Sequence, residues 1–277
     1  MTPSHSSPPN EKWPHRPDRK KKQYVDAIAV GIEFVALASG ALCLLLTRQA
    51  ALAWIRYACG ALAGTLALHL LVGALQHRVG RKPFTLADAL TRGRFATGTM
   101  LVALAIAGFR ARVTLAGGIA WGIALLAATL LDWLDGPIAR RVGPTRLGGA
   151  LDIEADSWLT LSTAVAVVVF GGLPWWVLAP PLLRYIHPVR AWLAGDVPAG
   201  GGPWWARVTG VAQMALLLAA LAPAEGDARD TILSGAAYPI VGAQLLALLA
   251  LLSRMPPAVP RPQSDSDVVA LLHDEKQ

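Results

Sequence analysis

The sequence predicts an all-α fold, a polytopic integral membrane helical bundle of about eight transmembrane helices. Three observations predict it. Apolar stretches of about twenty residues, the length that crosses a hydrocarbon core, recur along most of the 277-residue chain. Only 16% of the residues are charged against 54% hydrophobic, and the mean hydropathy is +0.46; a soluble domain carries about a quarter charged residues. Both cysteines, Cys43 and Cys59, fall inside apolar runs, which excludes a disulfide-stapled scaffold.

The elements follow in order. Residues 1–23 are rich in Pro, Ser and Lys and end in Arg19, Lys20, Lys21 and Lys22. They read as a disordered cytoplasmic tail with a juxtamembrane basic cluster. The apolar run behind them continues at transmembrane length, which disfavours a signal peptide. Spans are expected at about 24–47, 50–76, 86–109, 113–135, 149–171, 174–195, 206–223 and 231–253. The third opens with an amphipathic stretch, Thr85 to Arg94, and is fully apolar only from Phe95, the pattern of a helix that starts in the interface. Residues 255–277, with Pro256, Pro257, Pro260 and Pro262, read as a mobile tail. Residues 24–76 are expected to hold the first two of these spans and residues 84–254 the other six.

An even number of spans puts both termini on one side. The N-terminal tail, the 77–94 segment and the 136–148 segment together hold 14 Lys and Arg, while the opposite loops hold Arg48, Arg110, Arg112 and Arg229. Both termini and the 136–148 loop are therefore expected in the cytoplasm of a multi-pass cell-membrane protein. The net charge of +7 points to no nucleic acid, because its basic residues sit where topology requires them.

Carboxylates in membrane helices are costly and rarely idle. Four cluster here: Asp132 and Asp135 at i, i+3, and Asp152 and Asp156 at i, i+4. Each pair shares a helix face, and Gly136, Ala139 and Arg140 continue the first stripe. Opposed in a low-dielectric site, four carboxylates repel unless cations lie between them, and hard oxygen ligands suit Mg²⁺ or Mn²⁺. Metals, an arginine and small residues that admit a bulky group suit a diphosphate. Carboxylates solvated at helix ends are the bland alternative.

These residues carry a resemblance. The run resembles the CDP-alcohol phosphatidyltransferase family, whose pattern is D-x-x-D-G-x-x-A-R-x8-G-x3-D-x3-D. Asp132, Asp135, Gly136, Ala139, Arg140, Gly148, Asp152 and Asp156 match it, with seven residues instead of eight between Arg140 and Gly148. The missing residue falls in the Gly143-Pro144-Thr145 turn, and Gly149 is available to share the place of Gly148. The resemblance implies transfer of a phosphatidyl-type group from a CDP-alcohol, usually CDP-diacylglycerol, to a small alcohol acceptor with release of CMP. It implies two divalent ions held by Asp132, Asp135, Asp152 and Asp156, with Asp156 also the general base. It implies a nucleotide surface at Gly136, Ala139, Arg140 and Gly148, and it admits a homodimer. Phosphatidylglycerophosphate synthase-like activity is the first expectation for the acceptor. An intramembrane prenyltransferase is a second reading, which the Gly-x-x-Ala-Arg continuation disfavours. A transporter with an acidic ion site is a third, disfavoured by the absence of an inverted repeat.

Other polar residues carry two readings each. Arg94 resembles the family's arginine at the cytoplasmic start of the first core helix and would contact a phosphate; Arg92 and Arg94 otherwise read as snorkelling interface anchors. Arg184 resembles the acceptor-side arginine of several members, with snorkelling as its alternative. Glu33, inside the first span, needs a partner on another helix. His69 reads as a hydrogen-bonded residue of the bundle. Glu154 is turned off the face of Asp152 and Asp156, and Trp175, Trp176, Trp204 and Trp205 belong to interfacial belts.

Overall fold

The computed structural model describes residues 19–79, 84–109, 130, 134, 137–138, 141, 145–170, 172–193, 204–222 and 226–253. Among them the chain is helical and without strands. Its helices are α1 (Arg19–Leu46), α2 (Ala51–Val79), α3 (Leu86–Ile106), α4 (Arg146–Val169), α5 (Ala179–Arg184), α6 (Ile186–Leu193), α7 (Trp204–Leu221) and α8 (Asp227–Ser253), with a 3₁₀ turn at Trp175–Leu178. Cys43 and Cys59 are both free thiols.

Four of these helices are long and apolar enough to cross a membrane: α1 from Gln23, α2, α7, and α8 as far as Leu251. Phe34, Leu62, Val211 and Leu246 stand exposed on their outer faces. In water such faces would be an aggregation hazard, whereas hydrocarbon solvates them. The chain is a membrane protein.

The expected count of about eight spans is not reached among the described residues, for three physical reasons. The span expected at 113–135 lies outside them apart from Leu130 and Leu134. The span expected at 174–195 is not one helix: Pro174, Pro180, Pro181 and Pro188 remove backbone donors, and the chain runs as the 3₁₀ turn, α5 and α6. The segments at 86–109 and 149–171 do form helices, α3 and α4, but they bury polar faces inside the bundle. Along α3 every residue from Ala87 to Leu101 is buried, Asp88, Arg92 and Arg94 included. The expected disordered tail also ends earlier than its sequence predicts. Arg19, Lys20, Lys21 and Lys22 already belong to α1, in keeping with the good helix propensity of lysine and arginine.

α3 is the hub. Glu33 meets Arg92 and Ser39 meets Met100, so α1 runs parallel to α3. Gly60 lies against Ala103 and Gly64 against Thr99, so α2 runs antiparallel. Asp88 lies against Gly148 and Trp158 Nε1 donates to Thr99 Oγ1 at 3.2 Å, so α4 again runs parallel. The left-handed Gly108, at φ 75°, ends α3 as a glycine can at no steric cost. Beyond this core α7 and α8 pair as neighbours, and Arg229 reaches back to the Ala222 carbonyl at 3.1 Å, covering an orphan acceptor at the end of α7.

Small residues set the spacing of these helices. A Cβ built on Gly64 would sit 2.3 Å from Thr99 Cγ2 and 3.1 Å from its Cβ, and Thr99 cannot turn away without releasing Trp158. Nothing lies within 4 Å of the same atom on Gly73. Gly64→Ala is therefore expected to lower the thermal midpoint in detergent, at a cost of about 1–3 kcal/mol. Gly73→Ala, in the same helix, is expected to raise it, since alanine favours a helix by about 0.5–1 kcal/mol.

Candidate functional site

Two capped helix starts build the site. Thr85 caps α3: its hydroxyl accepts from the Asp88 amide at 3.2 Å and the Asp88 carboxylate accepts from the Thr85 amide at 2.7 Å, a reciprocal capping box. Thr145 caps α4, its hydroxyl accepting from the Gly148 amide at 2.8 Å. The two starts touch, because a Cβ on Gly148 would sit 2.6 Å from Asp88 Oδ1 and 2.9 Å from Thr145 Oγ1. Gly148 is thus the seam between the two helix ends, and Gly149 beside it has open space over its Cα.

From that seam α4 presents Asp152 and Asp156 at one-turn intervals, the geometry of residues four apart on a helix. Arg94 of α3 bridges them. Its Nη1 donates to Asp156 Oδ1 at 2.9 Å and its Nη2 donates to Asp152 Oδ1. The Arg94 side chain is 1% exposed, whereas the carboxylates are 53% and 44% exposed. The guanidinium is therefore a buried wall, and the acidic groups face outward from it. Arg184, at the end of α5, completes the cluster by donating from Nη2 to Asp156 Oδ2 at 3.2 Å. Phe95 and Trp158 stack below, with ring centroids 5.3 Å apart.

The structure thus brings Arg94, Asp152, Asp156 and Arg184 together. Asp132, Asp135, Gly136, Ala139 and Arg140 lie outside the described residues. Arg92 and Arg94 are not snorkelling anchors. Both are buried and ion-paired, because a guanidinium facing a bundle interior meets carboxylates at closer range than it would meet water. Glu33 has the helix partner expected of it, Arg92. His69 is hydrogen-bonded but not inside the bundle: it is exposed and its Nδ1 donates to the Thr65 carbonyl of its own helix at 3.1 Å. Glu154 is off the Asp152–Asp156 face and buried, within electrostatic reach of Tyr185. Sequence reading missed Thr85, Asp88 and Thr145; the Thr-x-x-Asp pattern ahead of a helix was the available signal for the first two.

Asp152 and Asp156 fit a divalent ion. They are hard oxygen donors, half exposed and one turn apart, and among the described residues no bond engages Asp152 Oδ2. Among those residues no three His, Cys, Asp or Glu side chains converge on one point. Two of the four carboxylates of the acidic run fall outside them.

Residues 84–252 match the sequence model of a family described as CDP-alcohol phosphatidyltransferase. The chain belongs to that family. Its acidic run, its parallel α3 and α4 and their arginine-bridged carboxylates all lie in the matched stretch, while α1 and α2 precede it. Members use divalent metal ions, CDP-alcohol substrates and an alcohol acceptor. A putative cardiolipin synthase of Mycobacterium bovis is 35% identical over 80 residues, which are 28% of this chain and 36% of that protein. A probable phosphatidylglycerophosphate synthase of Mycobacterium tuberculosis is 35% identical over 89 residues, 30% of this chain and 42% of that one. The CDP-diacylglycerol–glycerol-3-phosphate 3-phosphatidyltransferase 2 of Arabidopsis thaliana is 31% identical over 138 residues, 43% and 54% of the two chains. The match thus spans between a third and about half of the length of these relatives. No solved structure gives a significant match.

The seam between the helix starts generates a prediction. Gly148→Ala is expected to displace Asp88 and loosen both caps, a cost of about 1–2 kcal/mol per lost cap, read as a lower melting midpoint. Gly149→Ala is expected not to lower the midpoint and to raise it slightly, since its Cβ meets open space and alanine favours a helix over glycine.

Proposed function

We propose that the protein transfers the phosphatidyl group of CDP-diacylglycerol to a small alcohol and releases CMP, at the cytoplasmic face of the cell membrane. The observation that carries this reading is the pair of outward-facing carboxylates on α4 clamped by Arg94, at the last two acidic positions of the family pattern. A buried arginine that fixes two half-exposed carboxylates gives them one orientation toward whatever enters from outside.

In this reading Asp156 takes the proton of the acceptor hydroxyl. The hydroxyl oxygen forms its bond to the phosphorus that carries diacylglycerol. The bond from that phosphorus to the bridging oxygen breaks, and CMP leaves with the electron pair. Asp132, Asp135, Asp152 and Asp156 are the proposed holders of two divalent ions, Mg²⁺ or Mn²⁺. When bound, these ions would neutralise charge on the diphosphate. Arg94 holds Asp152 and Asp156 in register, and Gly136, Ala139, Arg140 and Gly148, with Gly149 beside it, form the proposed nucleotide surface.

Glycerol 3-phosphate is the proposed acceptor. The names of two relatives support it, as does the Arg184 guanidinium beside Asp156, because guanidinium matches phosphate well. The cytoplasmic orientation is supported by the Lys/Arg bias. It is supported again by the parallel run of α1, α3 and α4, which puts the basic cluster Arg19 to Lys22 at the same end as the site.

Purified protein given CDP-diacylglycerol, Mg²⁺ and a panel of alcohols is expected to release CMP, fastest with glycerol 3-phosphate. EDTA is expected to abolish release and Mg²⁺ or Mn²⁺ to restore it. No CMP with any alcohol, or full turnover in EDTA, overturns the reading. Asp156→Asn keeps shape but loses basicity, and its kcat is expected to fall at least about 10²-fold while CDP-diacylglycerol still binds. Initial rates beside a binding titration check this, and near-parental turnover removes Asp156 as the base.

A further inference from the structure

Two residues before Arg94, α3 carries a second buried guanidinium. Arg92 lies over the Phe84 ring at 5.4 Å and donates through Nε to Glu33 Oε1 at 2.6 Å. Glu33 is buried as well. It belongs to α1, which precedes the stretch that the family shares. Residues two apart on a helix project about 200° apart, so Arg92 turns to α1 while Arg94 turns to α4. α3 is therefore held from opposite sides, by the Arg92–Glu33 ion pair and by the Arg94 bridge to Asp152 and Asp156, and the first of these comes from outside the family unit.

A buried ion pair seldom adds net stability, since desolvation offsets its attraction, but its geometry is restrictive and removing one partner is costly. Its contribution here is register. The α1–α3 contact has further fixed points along its length. Ser39 Oγ donates to Met100 Sδ at 3.1 Å, and Gly40 has no room for a Cβ, which would sit 2.7 Å from Met100 Cγ.

We infer that Glu33 is a positioning residue for the proposed reaction: through Arg92 it fixes the rotation and height of α3, so that Arg94 meets Asp152 and Asp156 together. The inference rests on the reading of those carboxylates as the reacting centre. It gives α1 a task that the family stretch alone does not perform. Without the Glu33 charge, Arg92 is a buried cation whose nearest remedy is rotation of α3, and any rotation carries Arg94 away from one of the two α4 carboxylates that it bridges.

The test uses the full chain in detergent or nanodiscs. Glu33→Gln is expected to lower kcat about ten-fold at temperatures well below melting while the KM for CDP-diacylglycerol moves less than about two-fold. Glu33→Asp, which keeps the charge, is expected to recover most of that loss. Glu33→Gln added to Arg92→Gln is expected to lose nothing further, the signature of one shared interaction. A melting cycle reads the same linkage without activity: Glu33→Gln should cost less than about half as many degrees in an Arg94→Gln background as in the parent. Asp156→Asn replaces Arg94→Gln there if the latter does not fold. Parental kcat in Glu33→Gln, or melting effects that simply add, overturns the inference. If the parent releases no CMP at all, the phosphatidyltransferase reading falls, and the melting cycle alone then upholds or overturns the linkage.

Discussion

Two guanidinium groups on one buried helix have to be neutralised, and the arrangement of the bundle answers that need. Arginine stays charged at any accessible pH, and an unpaired cation in a low-dielectric interior costs several kcal/mol. α3 cannot be buried along its length unless a carboxylate meets each of its two inward guanidiniums. α1 supplies Glu33 to one, and α4 supplies Asp152 and Asp156 to the other. These pairs fix the level at which α1 and α4 meet α3, at the turn that carries Arg92 and Arg94. The small residues of α2, Gly60 and Gly64, then let a fourth helix close against the remaining side.

The polar end of this core is built from backbone as much as from side chains. Two threonine caps and the capping carboxylate of Asp88 satisfy the amides of Thr85, Asp88 and Gly148 at the starts of α3 and α4, and the absence of a Cβ at Gly148 lets those ends meet. The site carboxylates lie one and two turns farther along α4, so their position is a direct consequence of where that helix starts. Among the described residues a buried arginine lies behind them and a half-exposed Arg184 beside them. That asymmetry sorts the charges by exposure: the Arg94 cation is walled off while the carboxylates of Asp152 and Asp156 remain half exposed.

Much of this was legible in the chain. The spacing of Asp152 and Asp156 identifies a shared helical face, the matching stretch of the family is written in the acidic run, and Glu33 in an apolar helix announces a need for a partner. The partners themselves were not legible. Arg94 and Asp152 are 58 residues apart, and Glu33 and Arg92 are 59, separations over which hydrophobic periodicity carries no information. Arg92 and Arg94 were ambiguous for the same reason. A snorkelling arginine and a buried, paired one have the same local sequence, and only the neighbouring helices decide between them. The span at 174–195 failed differently: large apolar residues such as Val177, Leu178, Leu182, Leu183 and Ile186 recur through it, but four prolines break the backbone ladder among them.

Those prolines have a consequence for how the protein is made. A segment of short helical pieces leaves backbone groups without partners, and hydrocarbon tolerates such groups only where protein or water covers them. The stretch from Trp175 to Leu193 is therefore unable to enter a bilayer as a helix in its own right. It needs surroundings that are already folded, and it has them: Val177 is fully buried and Trp176 stacks on Tyr238 of α8 at 4.8 Å. Tyr238 emerges from the ribosome more than sixty residues after Trp176. The packing of Trp176 must then wait until Tyr238 has been made, so the segment whose helix end carries Arg184 finds its place against α8 late in synthesis.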